Sequence, residues 1–180
     1  DRMLLFYSLD SRGYEGFMNG SEGIAEGIVN SGRIQDFQEF LKENDIDYEL
    51  YGCEVDGRKA IYCHFDNKDA DFFKIASAGT RSLALFYYWY IRMEKASFVF
   101  IDEFDAFYHF ELSESVQRHL KKMSGVQIFT TTHNTDLMSN DLLRPESYFL
   151  LENNRIKAIS ELTEKELRQA HNLQKMYKAG

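Results

Sequence analysis

The chain has 180 residues, of which 44% are hydrophobic and 28% are charged, so we expect a folded protein with a hydrophobic core rather than a disordered one. Lysine and arginine total 21 against 29 aspartate and glutamate residues, and the net charge of −8 argues against a wholly basic nucleic-acid-binding protein. No apolar run is long enough to cross a bilayer, so no membrane partner is expected.

The first predicted elements are one strand and two helices. Residues 3–7 indicate a short strand, residues 22–30 a short helix, and residues 33–44 a helix with one apolar stripe. The stripe is predicted to pack in the core, and it consists of Ile34, Phe37, Phe40 and Leu41. Residues 11–23 are rich in glycine and are expected to form a loop, but they lack the Gly-Lys-Ser/Thr ending of a phosphate-binding P-loop.

A β-hairpin is predicted next. Residues 48–55 and 58–65 flank an Asp-Gly pair at 56–57, which favours a two-residue turn. In that register Cys53 and Cys63 lie on opposite faces of the sheet, so no disulfide is expected between them. Reduced thiols suit the cytoplasm, and we expect a cytoplasmic protein.

Two contrasting segments follow the hairpin. Residues 66–71 are acidic and predict a solvated turn. The long apolar run at 83–91 follows small residues and predicts a buried helix that begins near Gly79 or Thr80. The first backbone N–H groups of such a helix can bind an anion, with help from the hydroxyl of Ser77. The same pattern also fits an ordinary N-cap.

The centre of the chain predicts a βαβ unit. Residues 97–102 and 126–131 are short apolar strands, and residues 111–123 between them are expected to form a helix. A crossover of this length makes the two strands parallel, so that their carboxyl ends meet at one edge of the sheet. An α/β fold with parallel core strands is therefore expected.

The carboxyl end of the chain predicts a hairpin and a helix. Residues 147–152 and 155–159 indicate a terminal β-hairpin, and residues 163–177 form a charged, helix-prone segment. No internal repeat or low-complexity segment is present, so residues 1–180 are predicted to form a single domain.

Acidic and imidazole side chains follow the two parallel strands at the points where they end. Asp102 and Glu103 come directly after the first strand, and His133 follows the second. We expect these groups to converge, with Asp102 holding Mg²⁺, Glu103 accepting a proton from an attacking water, and His133 donating to a phosphate oxygen. Ser77 and the N–H of Gly79 can bind further phosphate, so the residues predict phosphoryl transfer to water.

Three short segments carry a resemblance to a known family: ASAGTRSL, FVFIDE and TTTHNTDL. Together they resemble the C-terminal half of an ABC-class ATPase, a P-loop NTPase. The branch is the one that contains SMC-like, recombination-repair and overcoming-lysogenization-defect ATPases. The resemblance covers residues 75–180, and it implies a lobe at 71–180 with a variable helical and hairpin insert at 8–70.

The first segment resembles the ABC signature motif. Ser77 and Gly79 match its serine and its second glycine, whereas Ala78 and Thr80 depart from its first glycine and its usual Gln or Glu. The resemblance implies that residues 77–79 contact ATP.

The other two segments resemble Walker B and the switch-histidine motif. The resemblance implies that Asp102 is the magnesium-side carboxylate and Glu103 the catalytic base. Asp105 falls at the D-loop position, and His133 matches the switch histidine. ATP and Mg²⁺ are the cofactors that this resemblance implies.

The resemblance also implies partners. The signature of one subunit would close over ATP held by the Walker A motif of another, which implies a homodimer with ATP between its subunits. The sequence contains no Walker A motif and begins on Asp1 without methionine, so we expect a fragment whose N-terminal ATPase lobe lies elsewhere. DNA and a toxin or effector protein are further candidate partners, in DNA repair, chromosome maintenance or phage defence.

Two alternatives stay open. Asp102, Glu103 and Asp105 could hold the metal ions of a metal-dependent nuclease. The departures at Ala78 and Thr80 also allow a binding module that is gated by ATP but catalytically silent.

Overall fold

A computed structural model describes residues 4–8 and 21–161 of the chain. The chain divides into two compact units, residues 1–132 and 133–180. The glycine-rich residues 11–20 and the charged segment predicted as a helix at 163–177 lie outside the described residues. The predicted boundary between an insert at 8–70 and a lobe at 71–180 lies inside the first unit, and the single domain stays a prediction.

The first unit combines helices with two small sheets. Its elements, in chain order, are β1 (Leu4–Ser8), α1 (Ser21–Asn30), α2 (Ile34–Lys42), β2 (Glu49–Val55), β3 (Arg58–Phe65), β4 (Lys68–Asp71), α3 (Phe72–Ile75), α4 (Ala78–Met93), β5 (Phe98–Asp102), α5 (Phe110–Lys122) and β6 (Gln127–Thr130). None of the helices within 4–8 and 21–161 is long and apolar enough to cross a membrane.

A parallel sheet with the strand order β1-β5-β6 carries the acidic strand end. Strand β5 lies in the middle and pairs in parallel with both neighbours, so that Ile101 lies between Tyr7 and Thr130. Val99 and Ile101 on β5 are almost fully buried, which is what the apolar run predicts for a central strand. The α/β class and the parallel core strands are thereby confirmed, and β1 adds a third strand to the predicted pair.

The second sheet is a meander with the order β2-β3-β4. The predicted hairpin is confirmed, and the register pairs Cys53 with Ala60 and Cys63 with Leu50, so the two free cysteines lie on opposite faces.

The solvated turn predicted at 66–71 is wrong. Only the first two of these residues turn, and Lys68–Asp71 pairs with β3 as a third antiparallel strand. The strand forms because its backbone groups pair with the edge of β3, and this pairing does not require apolar side chains. The polar side chains of this segment therefore did not indicate a strand in the sequence.

The core of the first unit is built from aromatic side chains of α2 and α4. Phe37, Phe40 and Leu41 of the predicted stripe are buried, and Ile34 is half-buried. The ring of Phe37 lies 5.0 Å from that of Tyr87 on α4. On the same helix Trp89 stacks on Tyr7 of β1 at 4.3 Å, so α4 links the helices to the parallel sheet. The buried helix predicted to begin near residue 79 begins at Ala78.

The second unit is described up to Glu161. It contains an antiparallel pair, β7 (Phe149–Glu152) and β8 (Arg155–Ala158), which confirms the predicted terminal hairpin. Three short 3₁₀ turns accompany the hairpin, at Thr135–Leu137, Pro145–Ser147 and Ile159–Glu161.

Gly27 on α1 offers a test of the packing between α1 and α4. A Cβ added at Gly27 would lie 2.3 Å from Cε2 of Tyr88, whereas one added at Gly23 on the same helix would meet nothing within 4 Å. We expect Gly27→Ala to lower the free energy of unfolding by about 1–3 kcal/mol, because the overpacked contact must shift. The matched control Gly23→Ala should raise it by up to about 1 kcal/mol, because alanine favours helix. Urea unfolding followed by circular dichroism measures both, and stabilisation by both substitutions would contradict this packing.

The exposed ion pair between His64 on β3 and Asp69 on β4 predicts a pH dependence of stability. Its Nδ1–Oδ1 distance is 2.7 Å, and this hydrogen bond raises the pKa of His64 and lowers the pKa of Asp69. Because the pKa of His64 is raised, the pair stabilises the fold while the histidine is protonated. This contribution is lost as the pH rises and His64 deprotonates. Because the pKa of Asp69 is lowered, the pair stabilises the fold while the carboxylate is ionised. This contribution is lost as the pH falls and Asp69 becomes protonated. The pair therefore contributes most between about pH 4 and pH 6.5.

We expect His64→Gln to lower the midpoint of thermal unfolding at about pH 5.5 and to leave it nearly unchanged at about pH 9. Thermal unfolding followed by circular dichroism at the two pH values measures this difference. An equal loss at both values would show that the charged pair is not its cause.

Candidate functional site

The acidic pair at the end of β5 adopts an unusual backbone. Asp102 is the last residue of the strand and is exposed, and Glu103 follows it with a φ of 48°. A side chain other than glycine costs on the order of 1–3 kcal/mol in this left-handed region, and such residues cluster at functional sites. The strand ends here in a turn, so both acidic residues lie at the carboxyl edge of the sheet, where ligands of α/β proteins bind.

Thr131, the residue after β6, bonds to both of these acidic residues. Its Oγ1 accepts the backbone N–H of Glu103 at 2.8 Å and donates to Oδ1 of Asp102 at 2.5 Å. Its backbone continues the parallel ladder, with its N–H donating to the carbonyl of Ile101 and its carbonyl accepting the N–H of Phe104. The end of β6 therefore holds the turn that follows β5.

The turn continues through a tight, hydrogen-bonded loop. The N–H of Ala106 donates to the carbonyl of Glu103, and the N–H of Tyr108 donates to the carbonyl of Asp105. The side chain of Asp105 accepts a hydrogen bond of 2.7 Å from Oγ1 of Thr132. Asp105, predicted at the D-loop position, is thus half-buried and held by the residue next to Thr131.

The signature-like residues form the start of α4. Ser77 is the N-cap, and its Oγ accepts the N–H of Thr80 at 3.1 Å and lies 2.8 Å from Oγ1 of Thr80. Ala78 is exposed, and a Cβ added at Gly79 would meet only Oγ of Ser77, at 3.9 Å. The structure thus contains the ordinary N-cap, and the space around Gly79 lets a ligand approach the first N–H groups of the helix.

One hydrogen bond and one cavity connect α4 with the loop after β5. The hydroxyl of Tyr108 donates to the carbonyl of Ser82 on α4 at 3.1 Å. A cavity of about 580 Å³ is lined by Ser77 and Gly79 on one side and by Phe107 and His109 on another, with the chain after α2 and the first turns of α5 completing its wall. The signature-like residues therefore line the same cavity as Phe107 and His109, which follow the acidic residues in the chain.

The predicted site residues fall into two groups in the first unit, with one residue beyond it. Asp102 ends β5 and Glu103 and Asp105 lie in the turn that follows, whereas residues 77–79 lie together at the start of α4. His133 is exposed and is the first residue of the second unit, so its convergence with Glu103 stays a prediction.

Three residues of the site were missed in the sequence: Tyr108, Thr131 and Thr132. The signal for the two threonines was present, because they follow the strand that is parallel to the acidic one and must end at the same edge. No comparable signal identifies Tyr108, whose bond to Ser82 depends on how the helix and the loop pack.

The donor set fits Mg²⁺ bound together with a phosphate, and it does not form a metal cage. Within the described ranges no group of three His, Cys, Asp or Glu side chains is placed to hold a metal ion. Mg²⁺ often binds through one or two carboxylates plus substrate phosphates and water, and the carboxylate of Asp102 can serve in this way. The three-carboxylate centre that a two-metal nuclease would need has no counterpart in that part of the chain.

Comparison with known proteins finds a matching family. A family model described as an AAA domain matches residues 10–139, and its description proposes an AbiEii toxin of a type IV TA system. The match includes the start of α4, the acidic turn after β5 and His133. No curated protein matches the chain.

Substitution of Ser77 tests its role as the N-cap of α4. We expect Ser77→Ala to lower the free energy of unfolding by about 1 kcal/mol, because the N–H of Thr80 loses its acceptor. Ser77→Asp is the matched control and should stay within about 0.5 kcal/mol of the original chain, because aspartate caps helices equally well. Denaturant unfolding measures both variants. Equal stability of the original chain and Ser77→Ala would mean that the cap contributes nothing.

Proposed function

The chain belongs to the AAA-domain family of P-loop-type ATPases, and from this membership we propose that it is the ATP-binding and ATP-hydrolysing lobe of an ABC-class ATPase. The observation that carries the proposal is the turn of Asp102 and Glu103 at the carboxyl end of the central strand β5. A carboxylate for the metal and a second one for the attacking water are the groups that hydrolysis of a phosphoanhydride requires.

Each acidic residue has one role in this proposal. Asp102 would hold Mg²⁺, which supplies positive charge to the phosphate oxygens when it is bound. Glu103 accepts the proton of the attacking water, and it is the first residue after the strand, directly next to Asp102 in the chain. Asp105 positions the loop through its bond to Thr132.

The start of α4 and His133 supply the contacts with phosphate in this proposal. The first N–H groups of a 16-residue helix carry a partial positive charge, and Gly79 leaves room for an anion to approach them. Ser77 and Ala78 form the edge of the same anion site. His133 donates a hydrogen bond to a phosphate oxygen.

The proposal includes partners for this chain. The sequence contains no Gly-x-x-x-x-Gly-Lys-Ser/Thr segment, so the loop that cradles the β- and γ-phosphates comes from outside these 180 residues, in an N-terminal ATPase lobe. ATP then lies between two copies of the protein, with the start of α4 of one copy facing the nucleotide of the other. The SMC-like, recombination-repair and overcoming-lysogenization-defect branch is the one we propose.

The cellular role is proposed from the chain's resemblance and its family. DNA repair, chromosome maintenance and phage defence all use ATPases of this branch, and we propose a toxin or effector protein as partner, since the family description mentions a toxin of a type IV TA system. DNA remains the alternative partner.

A catalytically silent, ATP-gated binding module is the second candidate, and one observation favours it. Thr80 stands where the signature motif has Gln or Glu, and both its N–H and its Oγ1 are engaged by the N-cap Ser77. A side chain held in the cap is less available for a nucleotide. ATP binding without turnover in the native full-length protein would support this candidate over the hydrolase.

The role of Glu103 is tested by Glu103→Gln in the native full-length protein. We expect kcat for ATP hydrolysis to fall by about 100-fold or more, because the amide cannot accept the proton of the attacking water. ATP binding should stay within about threefold, because the glutamine keeps the size of the side chain and the backbone of the turn. Phosphate release and equilibrium nucleotide binding measure the two quantities.

Glu39→Gln is the matched control for this experiment. Glu39 is an exposed carboxylate on α2, an element that contributes no residue to the acidic turn, and its substitution also removes one negative charge. Hydrolysis by this variant should remain within about twofold of the original rate. Undiminished hydrolysis by Glu103→Gln would refute the assignment of the base, and loss of hydrolysis in both variants would point to a general effect of charge.

A further inference from the structure

Strand β6 ends one residue before Thr131, at the edge of the sheet where β5 also ends. The pairing of the two parallel strands extends past β6, because the N–H of Thr131 donates to the carbonyl of Ile101 at 3.0 Å. The carbonyl of Thr131 then accepts the N–H of Phe104 at 3.1 Å. The backbone of Thr131 therefore bonds to residues on both sides of the Asp102-Glu103 pair, and its position relative to them is fixed.

The hydroxyl of Thr131 completes a chain of two hydrogen bonds with a defined direction. A hydroxyl has one hydrogen to donate, and a backbone N–H can only donate. Oγ1 must therefore accept the N–H of Glu103, at 2.8 Å, and its own hydrogen goes to Oδ1 of Asp102. The hydroxyl of Thr131 therefore links the backbone of Glu103 to the side chain of Asp102.

We propose that Thr131 is a positioning residue for both carboxylates of the acidic turn. Its hydroxyl holds Glu103 in the left-handed conformation by satisfying the N–H that this conformation turns toward β6. It also orients the carboxylate of Asp102 by engaging Oδ1, so that Oδ2 is the oxygen offered to a cation. The inference rests on the proposed function for its catalytic consequence, whereas the hydrogen bonds themselves do not depend on it.

The chemistry of threonine suits this role. A β-branched side chain restricts χ1, so the hydroxyl keeps its direction at the end of the strand. Valine has the same shape without the hydroxyl, and serine keeps the hydroxyl without the methyl group. Partners that hydrogen-bond to a metal ligand commonly change metal affinity or activity by about 10- to 100-fold when they are removed.

Thr131→Val and Thr131→Ser, made in the native full-length protein, test the role. For Thr131→Val we expect the Mg²⁺ concentration that half-saturates ATP hydrolysis to rise by about tenfold, since Asp102 is no longer oriented. Hydrogen exchange at the amide of Glu103, followed by nuclear magnetic resonance without nucleotide, should become about fivefold faster or more, since this N–H loses its acceptor. Thr131→Ser should restore both quantities to within about threefold of the original values, since the hydroxyl returns.

Thr130→Val is the matched control. Thr130 precedes Thr131, and the alternation of side chains along a strand places it on the opposite face of the sheet. Thr130→Val should leave both the Mg²⁺ dependence of hydrolysis and the exchange rate of the Glu103 amide within about twofold of the original values. If Thr131 had only a structural role, Thr130→Val and Thr131→Val would change the two quantities alike. Thermal unfolding followed by circular dichroism reports whether each variant is folded. If Thr131→Val does not fold, the comparison is made with Thr131→Ala.

Two results would overturn the inference. One is an amide of Glu103 that exchanges at the original rate in Thr131→Val, and the other is a faster exchange that Thr131→Ser fails to reverse. Absence of ATP turnover in the original protein would contradict the proposed function instead. In that case the hydrogen-exchange measurement still tests the role of Thr131, because it needs no nucleotide. Failure of the Thr131 inference and failure of the proposed function are therefore distinguishable.

Discussion

The parallel pairing of β5 with β6 is the constraint on which the candidate site depends. Parallel strands end at the same edge, so the acidic residues after β5 and the threonines after β6 must become neighbours. The backbone bonds of Thr131 to Ile101 and Phe104 extend the pairing around the turn, and its hydroxyl reaches the carboxylate of Asp102. An antiparallel arrangement would place these groups at opposite ends of the sheet.

The helix α4 gives this edge its support. It is apolar on most sides, and its buried residues contact β1 through Trp89 and α2 through Tyr87. Because the helix is held at both of these contacts, its first turn, with Ser77 as N-cap, has a fixed place in the first unit. The bond from Tyr108 to Ser82 then joins the helix to the loop that follows the acidic turn. Rigid packing of this kind is what a site needs to keep charged groups in position.

Hydrogen bonds within the site offset the cost of the left-handed backbone at Glu103 and of the carboxylates of Asp102 and Asp105. The left-handed backbone of Glu103 is unfavourable for a side chain other than glycine, yet it is matched by a hydrogen bond to its N–H and another to its carbonyl. Asp102 and Asp105 each accept a hydrogen bond from a threonine hydroxyl, so each carboxylate has a donor within the protein.

The sequence by itself determined the elements that have strong local signals. The apolar runs of β5 and β6, the Asp-Gly turn of the hairpin and the periodic stripe of α2 all depend on neighbours in the chain, and each was predicted correctly. The position of Asp102 and Glu103 at a strand end followed from the same local pattern. Only the tertiary structure decided that Lys68–Asp71 forms a strand, that Glu103 turns left-handed and that Thr131 holds both acids. These features arise from backbone and hydroxyl groups of residues distant in sequence, and hydrogen bonds of that kind leave no periodic mark on the residues that make them.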